Sequence, residues 1–263
     1  MTDIAREIPF RGGAFEARPR AFAAPATLIV AVAFWEFAVR SGWVDALFLP
    51  PPSSVASALR EMAADGTLAL HLGDSLGRLG VGWTMGTIAG IAAGCCIAIW
   101  SWPRAAGIPA ISALFPIPKI ALLPLFILWL GIGEAPKYAT IALGVFFPTA
   151  IATYSAIDSV PRNLVLMARS FGVSRSAIVA RVLLPGALPG VLAGFRITAS
   201  IGLILLTAAE MIGAQYGIGA MVLASGQLMQ TDRLIAGVVL LSMLGLAIGW
   251  LLGAIEKRLL AWR

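Results

Sequence analysis

The sequence predicts an all-α, polytopic membrane protein with about six transmembrane helices. Three observations predict it. First, of 263 residues 59% are hydrophobic and only 12% charged, and the mean hydropathy is +0.91. A soluble domain carries roughly a quarter charged residues, and a chain of this length cannot build a core that buries so much apolar surface in water. Second, the apolar residues gather in runs near the ~20 residues that cross a hydrocarbon core: 24–42, 79–101, 109–133, 135–156, 188–212 and 234–254. Third, the basic residues favour the loops on one side, as the positive-inside rule describes.

Each element follows in order. The first twenty residues hold Arg6, Arg11, Arg18 and Arg20 with no apolar run among them, and no small-residue cleavage pattern closes the hydrophobic stretch behind them. The expectation is a polar tail, 1–23, before an uncleaved first span. Pro50-Pro51-Pro52 stops an extended segment, and Ser53 is placed to cap a short amphipathic helix through Met62. His71 falls in the next polar stretch, without partners at metal-ligand spacing, and is expected to be solvated.

Span two carries Gly82, Gly86, Gly90 and Gly94 on one helix stripe. That is the small-xxx-small pattern by which membrane helices approach closely. Cys95 and Cys96 are adjacent in the same apolar run and form neither a disulfide framework nor a metal site. In span three, Pro116, Pro118 and Pro124 remove backbone donors. Lipid tolerates the freed carbonyls only under protein or beside a watery cavity. The span is therefore expected to break near Pro116–Lys119 and to face the bundle interior.

With the N-terminus inside, cytoplasmic segments hold Arg6, Arg11, Arg18, Arg20, Arg104, Arg162, Arg169, Arg175, Arg181, Lys257, Arg258 and Arg263. Outer segments hold Arg40, Arg60, Arg78, Lys137 and Arg233. Twelve against five puts both termini in the cytoplasm. The reading is one transmembrane domain, 24–254, with a cytoplasmic loop at 158–187 and a C-terminal tail at 255–263.

Several function classes are excluded. The net charge of +6 comes without a basic run interleaved with aromatics, so it reflects orientation rather than nucleic-acid binding. None of the lysines (Lys119, Lys137, Lys257) follows a glycine, so no phosphate-binding Walker A loop exists. Ser200 and Thr207 have no histidine partner for nucleophilic chemistry. No relay of carboxylates and histidines runs through the spans. No catalytic role is expected, and no metal or cofactor bound by this chain.

The stretch Asp158–Pro189 reads DSVPRNLVLMARSFGVSRSAIVARVLLPGALP. Pro161 suits the start of a helix over Arg162–Ser170, and Gly172 stands where a left-handed C′ residue is needed. Ser174 caps a second helix, Arg175–Leu184, with Ile178, Val182 and Leu183 on one face. Pro185 is expected to end it. The pattern resembles the coupling loop of permease subunits of bacterial ABC importers: Glu-Ala-Ala, three residues, Gly, nine residues, Ile, any residue, Leu-Pro. Gly172 takes the glycine, Val182 the isoleucine position and Leu184-Pro185 the closing pair, while Ala168 matches the second alanine. Leu166 and Met167 replace the glutamate and first alanine, so the glutamate's usual contact is missing. Arg169, Ser170, Phe171 and Val173 complete the predicted coupling turn.

Other stretches resemble the branch of alkanesulfonate, taurine and nitrate permeases. These are Leu49-Pro50, Pro52-Ser53, Ser75-Leu76 with Arg78, Ala121 to Leu125, Ile127-Leu128-Trp129, Gly131-Ile132-Gly133, Phe147-Pro148, Met167 to Gly172, and Ala209-Glu210 with Gly217-Ile218-Gly219. The resemblance implies a type I ABC importer permease fold in the bacterial inner membrane. It also implies two copies of an ABC ATPase subunit carrying the ATP and Mg, a second permease copy forming a homodimer, and a periplasmic solute-binding protein. The expected solute is a small anion such as a sulfonate, taurine or nitrate; an aromatic carboxylate or a pyrimidine vitamin precursor stays open. A secondary transporter or channel working without an ATPase is the alternative class.

Charges inside spans are functional candidates by default. Glu36 is expected to pair with Arg40 one turn on. Lys119 either snorkels to the interface or lines the path. Arg196 snorkels or pairs with lipid phosphate or a loop carboxylate. Glu210 lies fourteen residues beyond Arg196, within about 40° on the helix but roughly 20 Å away. A structural partner in the bundle, a gate or a docking contact are its candidate roles, since a bare carboxylate is a poor ligand for an anion. Tyr138, Thr149, Tyr154, Thr198 and Ser200 are further candidate pathway residues.

Overall fold

The computed structural model describes residues 23–261, so tail positions Arg6, Arg11, Arg18 and Arg20, and Arg263, lie outside the described residues. Among the described residues all regular structure is helical. It runs α1 (Ala23–Arg40), α2 (Pro52–Ala64), α3 (Thr67–Ile99), α4 (Ser101–Leu114), a 3₁₀ turn (Lys119–Leu122), α5 (Leu123–Leu130) and α6 (Ala135–Asp158). Then come α7 (Arg162–Ser170), α8 (Arg175–Ile178), a π turn (Val179–Leu183), α9 (Leu184–Gly213), α10 (Ile218–Gln227) and α11 (Thr231–Leu259).

Four helical runs among the described residues are long and apolar enough to cross a membrane: α3, α6, the run from Arg175 to Gly213, and α11. The proline-rich span makes a fifth if its halves count together. It is bent by 87° between α4 and the segment Lys119–Leu130, because Pro116 and Pro118 cannot supply the N–H groups that would continue α4. The apolar α1, ~27 Å long, lies at the margin of the described residues.

The core is the contact of α3, α6 and α9, where Leu79, Ile141, Val145, Leu205 and Leu206 are buried together. Lipid tails are as apolar as leucine, so no hydrophobic force drives this contact, and close packing must supply it. The glycine stripe of α3 does so. A Cβ on Gly82 would stand 2.7 Å from Ile141 Cβ, one on Gly90 2.7 Å from Thr149 Cβ, and one on Gly94 2.6 Å from Thr153 Cβ. Gly86 lies against the backbone of Ala142. A second cluster joins Met62 of α2, Ile218 and Met221 of α10, and Leu244 of α11.

Several expectations are corrected. Span two begins at Thr67 rather than residue 79, so His71 and Arg78 are helical rather than in an outer loop. Ser53 does not cap α2: Pro51 and Pro52 begin it, and Ser53 donates both its N–H (3.0 Å) and its hydroxyl (2.8 Å) to the Glu36 carboxylate. Glu36 also pairs with Arg40 at 2.5 Å, as expected. Arg104 lies inside α4 rather than in a loop. The short α10, absent from the sequence reading, closes the connection between α9 and α11. Finally α11 continues to Leu259, so most of the predicted C-terminal tail is helix.

Candidate functional site

At the end of α6, Val160 and Pro161 turn the chain into α7. No side chain of α7 is buried, and its apolar Leu166, Met167 and, just beyond, Phe171 are exposed, Phe171 by 79%. The helix closes on a Schellman motif: Gly172, at φ +72°, donates its N–H to Arg169 O (2.9 Å), and Val173 donates to Ala168 O (3.1 Å). These bonds satisfy the terminal carbonyls and require the left-handed conformation that glycine adopts without a Cβ penalty. Ser170 Oγ donates to Met167 O at 2.8 Å.

Ser174 then accepts from Ala177 N–H at 3.4 Å, the expected N-cap. Ile178 is buried, and Val182 and Leu183 pack with Ile157, Val160 and Ala187 in one apolar joint between α6 and α9. Pro185 does not end the helix. Leu184 N–H reaches back five residues to Val179 O, and this widened π turn accommodates the proline ring and its missing donor. The run from Arg175 to Gly213 is thus a single helical rod.

The opposite end of α6 carries an ion cluster. Glu210 of α9, 0% exposed, accepts from Ser75 Oγ (2.8 and 3.0 Å), Arg78 Nη1 (2.9 Å) and Gly219 N–H (2.8 Å). The buried Arg78 guanidinium also donates to Tyr216 O (2.5 Å), to both oxygens of Glu134 (2.6 and 3.0 Å) and to Asp74 (3.3 Å). Lys137 meets Glu134 at 2.9 Å and Gly213 O at 3.2 Å. Ser75 Oγ accepts from Ile218 N–H, and His71 Nδ1 from Gly217 N–H at 3.0 Å, so His71 is not simply solvated. Hydrogen bonds from Arg78 hold the Glu134 carboxyl down at about 2, with Lys137 adding to the effect against the opposing pull of burial. The cluster ties α3, α6, α9 and α10 together. Every donor on Arg78 is used, so no free guanidinium remains for a solute.

The other predicted candidates scatter. Arg196 does not face the interior: its guanidinium is 54% exposed and pairs with Glu256 of α11 at 2.5 Å. Lys119 is buried at the span break, donating to Leu114 O and Phe115 O rather than snorkelling. Tyr154 OH accepts from Arg104 at 3.3 Å, and Arg104 pairs with Asp158 at 2.9 Å. Thr198 accepts from Trp83 Nε1 at 3.2 Å, while Ser200 and Thr207 donate to carbonyls of their own helix. Thr149 and Tyr138 lie in the α3–α6 contact. The sequence reading missed Arg78, Glu134 and Lys137 as a unit. The available signal was Ser75 and Arg78 three residues apart at a span's entry. Among the described residues no group of His, Cys, Asp or Glu is placed to hold a metal ion.

A family model for the binding-protein-dependent transport system inner membrane component matches residues 86–261. The chain belongs to this family. As such an ABC importer permease it is 36% identical over 243 residues to the taurine transport system permease protein TauC of Escherichia coli, covering 90% of this chain and 88% of TauC. The riboflavin transport system permease protein RibX of Chloroflexus aurantiacus is 30% identical over 238 residues, covering 90% and 89%. Among solved structures, the MetNI methionine ABC transporter in an inward facing conformation superposes with TM-score 0.63 at 22% identity, over 72% of this chain and 94% of that one. An amino acid ABC transporter superposes with TM-score 0.61 at 16% identity, over 76% and 97%. The permease therefore has the type I ABC importer fold.

Proposed function

We propose that this permease forms the translocation pathway for a small sulfonate, taurine foremost, delivered by a periplasmic binding protein and driven by ATP hydrolysis on a separate subunit docked at α7. The observation that carries the energetic half is α7 itself. It is a short helix with no buried side chain, an apolar face of Leu166, Met167 and Phe171, a fixed Schellman turn, and a rigid continuation into a span. Such a face is costly in water and fits a groove on a partner. ATP and Mg belong to that partner, present in two copies beneath two copies of this permease. The residues offered to it are Leu166, Met167, Ala168, Arg169, Ser170, Phe171, Gly172, Val173 and Ser174, with Val182, Leu184 and Pro185 transmitting movement to α9. The basic count favours a cytoplasmic position for α7 and both termini, with the Glu210 cluster at the opposite, outer end of the bundle.

Taurine is favoured over nitrate or an aromatic carboxylate by the similarity to TauC. The test is uptake by proteoliposomes holding the permease, its co-purified ATPase and the binding protein encoded beside it. Taurine accumulation that requires ATP supports the reading. Accumulation without ATP, by the permease alone, refutes the ATPase half; ATP-driven uptake of riboflavin but not of taurine refutes the substrate half.

A further inference from the structure

Among the described residues one buried basic side chain meets no carboxylate. Lys119 is 8% exposed and sits at the 87° break between α4 and the segment that follows. Its Cγ lies 3.9 Å from where a Cβ on Gly144 would stand. Gly144 is nine residues into α6, ~14 Å along its axis, so the ammonium is held at membrane depth and not at an interface. Five other basic side chains of the spans meet carboxylates: Arg40, Arg78, Arg104, Lys137 and Arg196. Lys119 meets none among the described residues.

Its Nζ donates to Leu114 O at 3.0 Å and Phe115 O at 2.5 Å. The Phe115 and Phe147 rings stand 5.4 and 4.7 Å from it. An ammonium has three N–H donors. Two carbonyls occupy two of them, and ring faces attract the charge without offering an acceptor lone pair. Dipoles and rings offset only part of the cost of taking an ammonium out of water. The third N–H has no acceptor among the described residues.

We propose that Lys119 Nζ is the pathway contact for the sulfonate group of the transported solute, one of whose oxygens accepts the third N–H. The assignment rests on the sulfonate-bearing substrate proposed above, whose sulfonate group is the acceptor even where, as in taurine, the molecule also carries an ammonium. Lysine suits a transient stop, because its compact charge holds an oxyanion without the two-point geometry of a guanidinium, so release stays easy. Phe147 and the carbonyls of Leu114 and Phe115 orient the ammonium.

The experiment uses the reconstituted complex of permease, ATPase and binding protein, and reads taurine delivered per ATP hydrolysed. Lys119→Met should leave assembly and binding-protein-stimulated ATP hydrolysis intact while cutting delivery about tenfold or more, the rate equivalent of losing a hydrogen bond to a charged group. Lys119→Arg, which keeps the charge but binds at two points, should lose clearly less delivery than Lys119→Met. Wild-type delivery by Lys119→Met overturns the proposal, as does equal loss in the Met and Arg variants of an assembled complex, which marks packing. If Lys119→Met does not assemble, the wild type decides by amine acylation read by mass spectrometry against Lys257. Protection of Lys119 by taurine in the vanadate-trapped complex supports the contact, and unchanged reactivity overturns it. A wild-type complex that moves no sulfonate removes the substrate reading itself, an outcome distinct from failure of the site in a taurine-transporting complex.

Discussion

Replacing Gly172 by valine isolates what the coupling turn does. No heavy atom lies within 4 Å of a Cβ placed there, so a side chain meets open space and the cost is conformational alone. The backbone stands at φ +72°, where an L-residue costs about 1–2 kcal/mol and a β-branched one falls at or beyond the upper end. Relaxing φ breaks the bonds from Gly172 to Arg169 O and from Val173 to Ala168 O and re-aims α7 relative to α9. At about 1.4 kcal/mol per tenfold, the correctly aimed turn loses roughly thirtyfold or more in population. Asparagine tolerates the left-handed region, so Gly172→Asn should stay within about threefold of wild type on the same scale. The assay is taurine uptake beside ATP hydrolysis in proteoliposomes, with membrane insertion checked by yield and size-exclusion profile. Valine should lower uptake per ATP while insertion is unchanged, and asparagine should preserve it. Wild-type coupling in Gly172→Val, or equal losses for Val and Asn, would refute a role for this backbone conformation.

At the other end of α6, Glu210→Ala leaves Ser75 Oγ, Gly219 N–H and one Arg78 N–H buried without their acceptor, and each such unsatisfied group costs about 1–3 kcal/mol. A large drop in the thermal midpoint in detergent is expected, with Glu134→Gln, whose wild-type carboxylate is 45% exposed, costing far less. The Glu134 carboxyl titrates below its usual 4.5, at about 2; its folded-state pKa is depressed, so its stabilisation is present above 4.5 and is lost as pH falls toward 2. Thermal midpoints measured between pH 6 and 3 should decline in the wild type and flatten in Glu134→Gln. In the glycine stripe, Gly86→Val drives a side chain into the Ala142 backbone and should abolish assembly on gel filtration, whereas Gly80→Ala, which meets nothing within 4 Å, should be neutral.

The coupling element was legible almost residue by residue. Arg162–Ser170, the left-handed Gly172 and the Ser174 cap all follow from local rules, because helix ends are governed by hydrogen bonds spanning a few residues. Pro185 misled for the same reason. Local chemistry makes proline a terminator, and only the π turn held by the joint of Ile157, Val160, Val182 and Ala187 lets the helix pass through it. Polar composition likewise hid the first turns of α3: a run holding His71, Asp74 and Arg78 reads as a loop until Glu134, Glu210 and the backbone of Tyr216 and Gly217 are brought against it.

By itself, then, the sequence determined the apolar runs, the glycine stripe, the break at Pro116–Lys119 and the left-handed turn at Gly172. Each depends on length, period or a backbone dihedral, and those are properties of neighbouring residues. Tertiary structure decided which charges meet. Ser75 with Arg78, Ala209 with Glu210, and Gly217 to Gly219 read as separate motifs, and folding joins them into one network around a carboxylate 132 residues from its arginine. It also sent Arg196 outward to Glu256 and left Lys119 at membrane depth without a carboxylate. A bilayer enforces such choices, because a charge buried there must find a partner wherever the packing of the helices provides one.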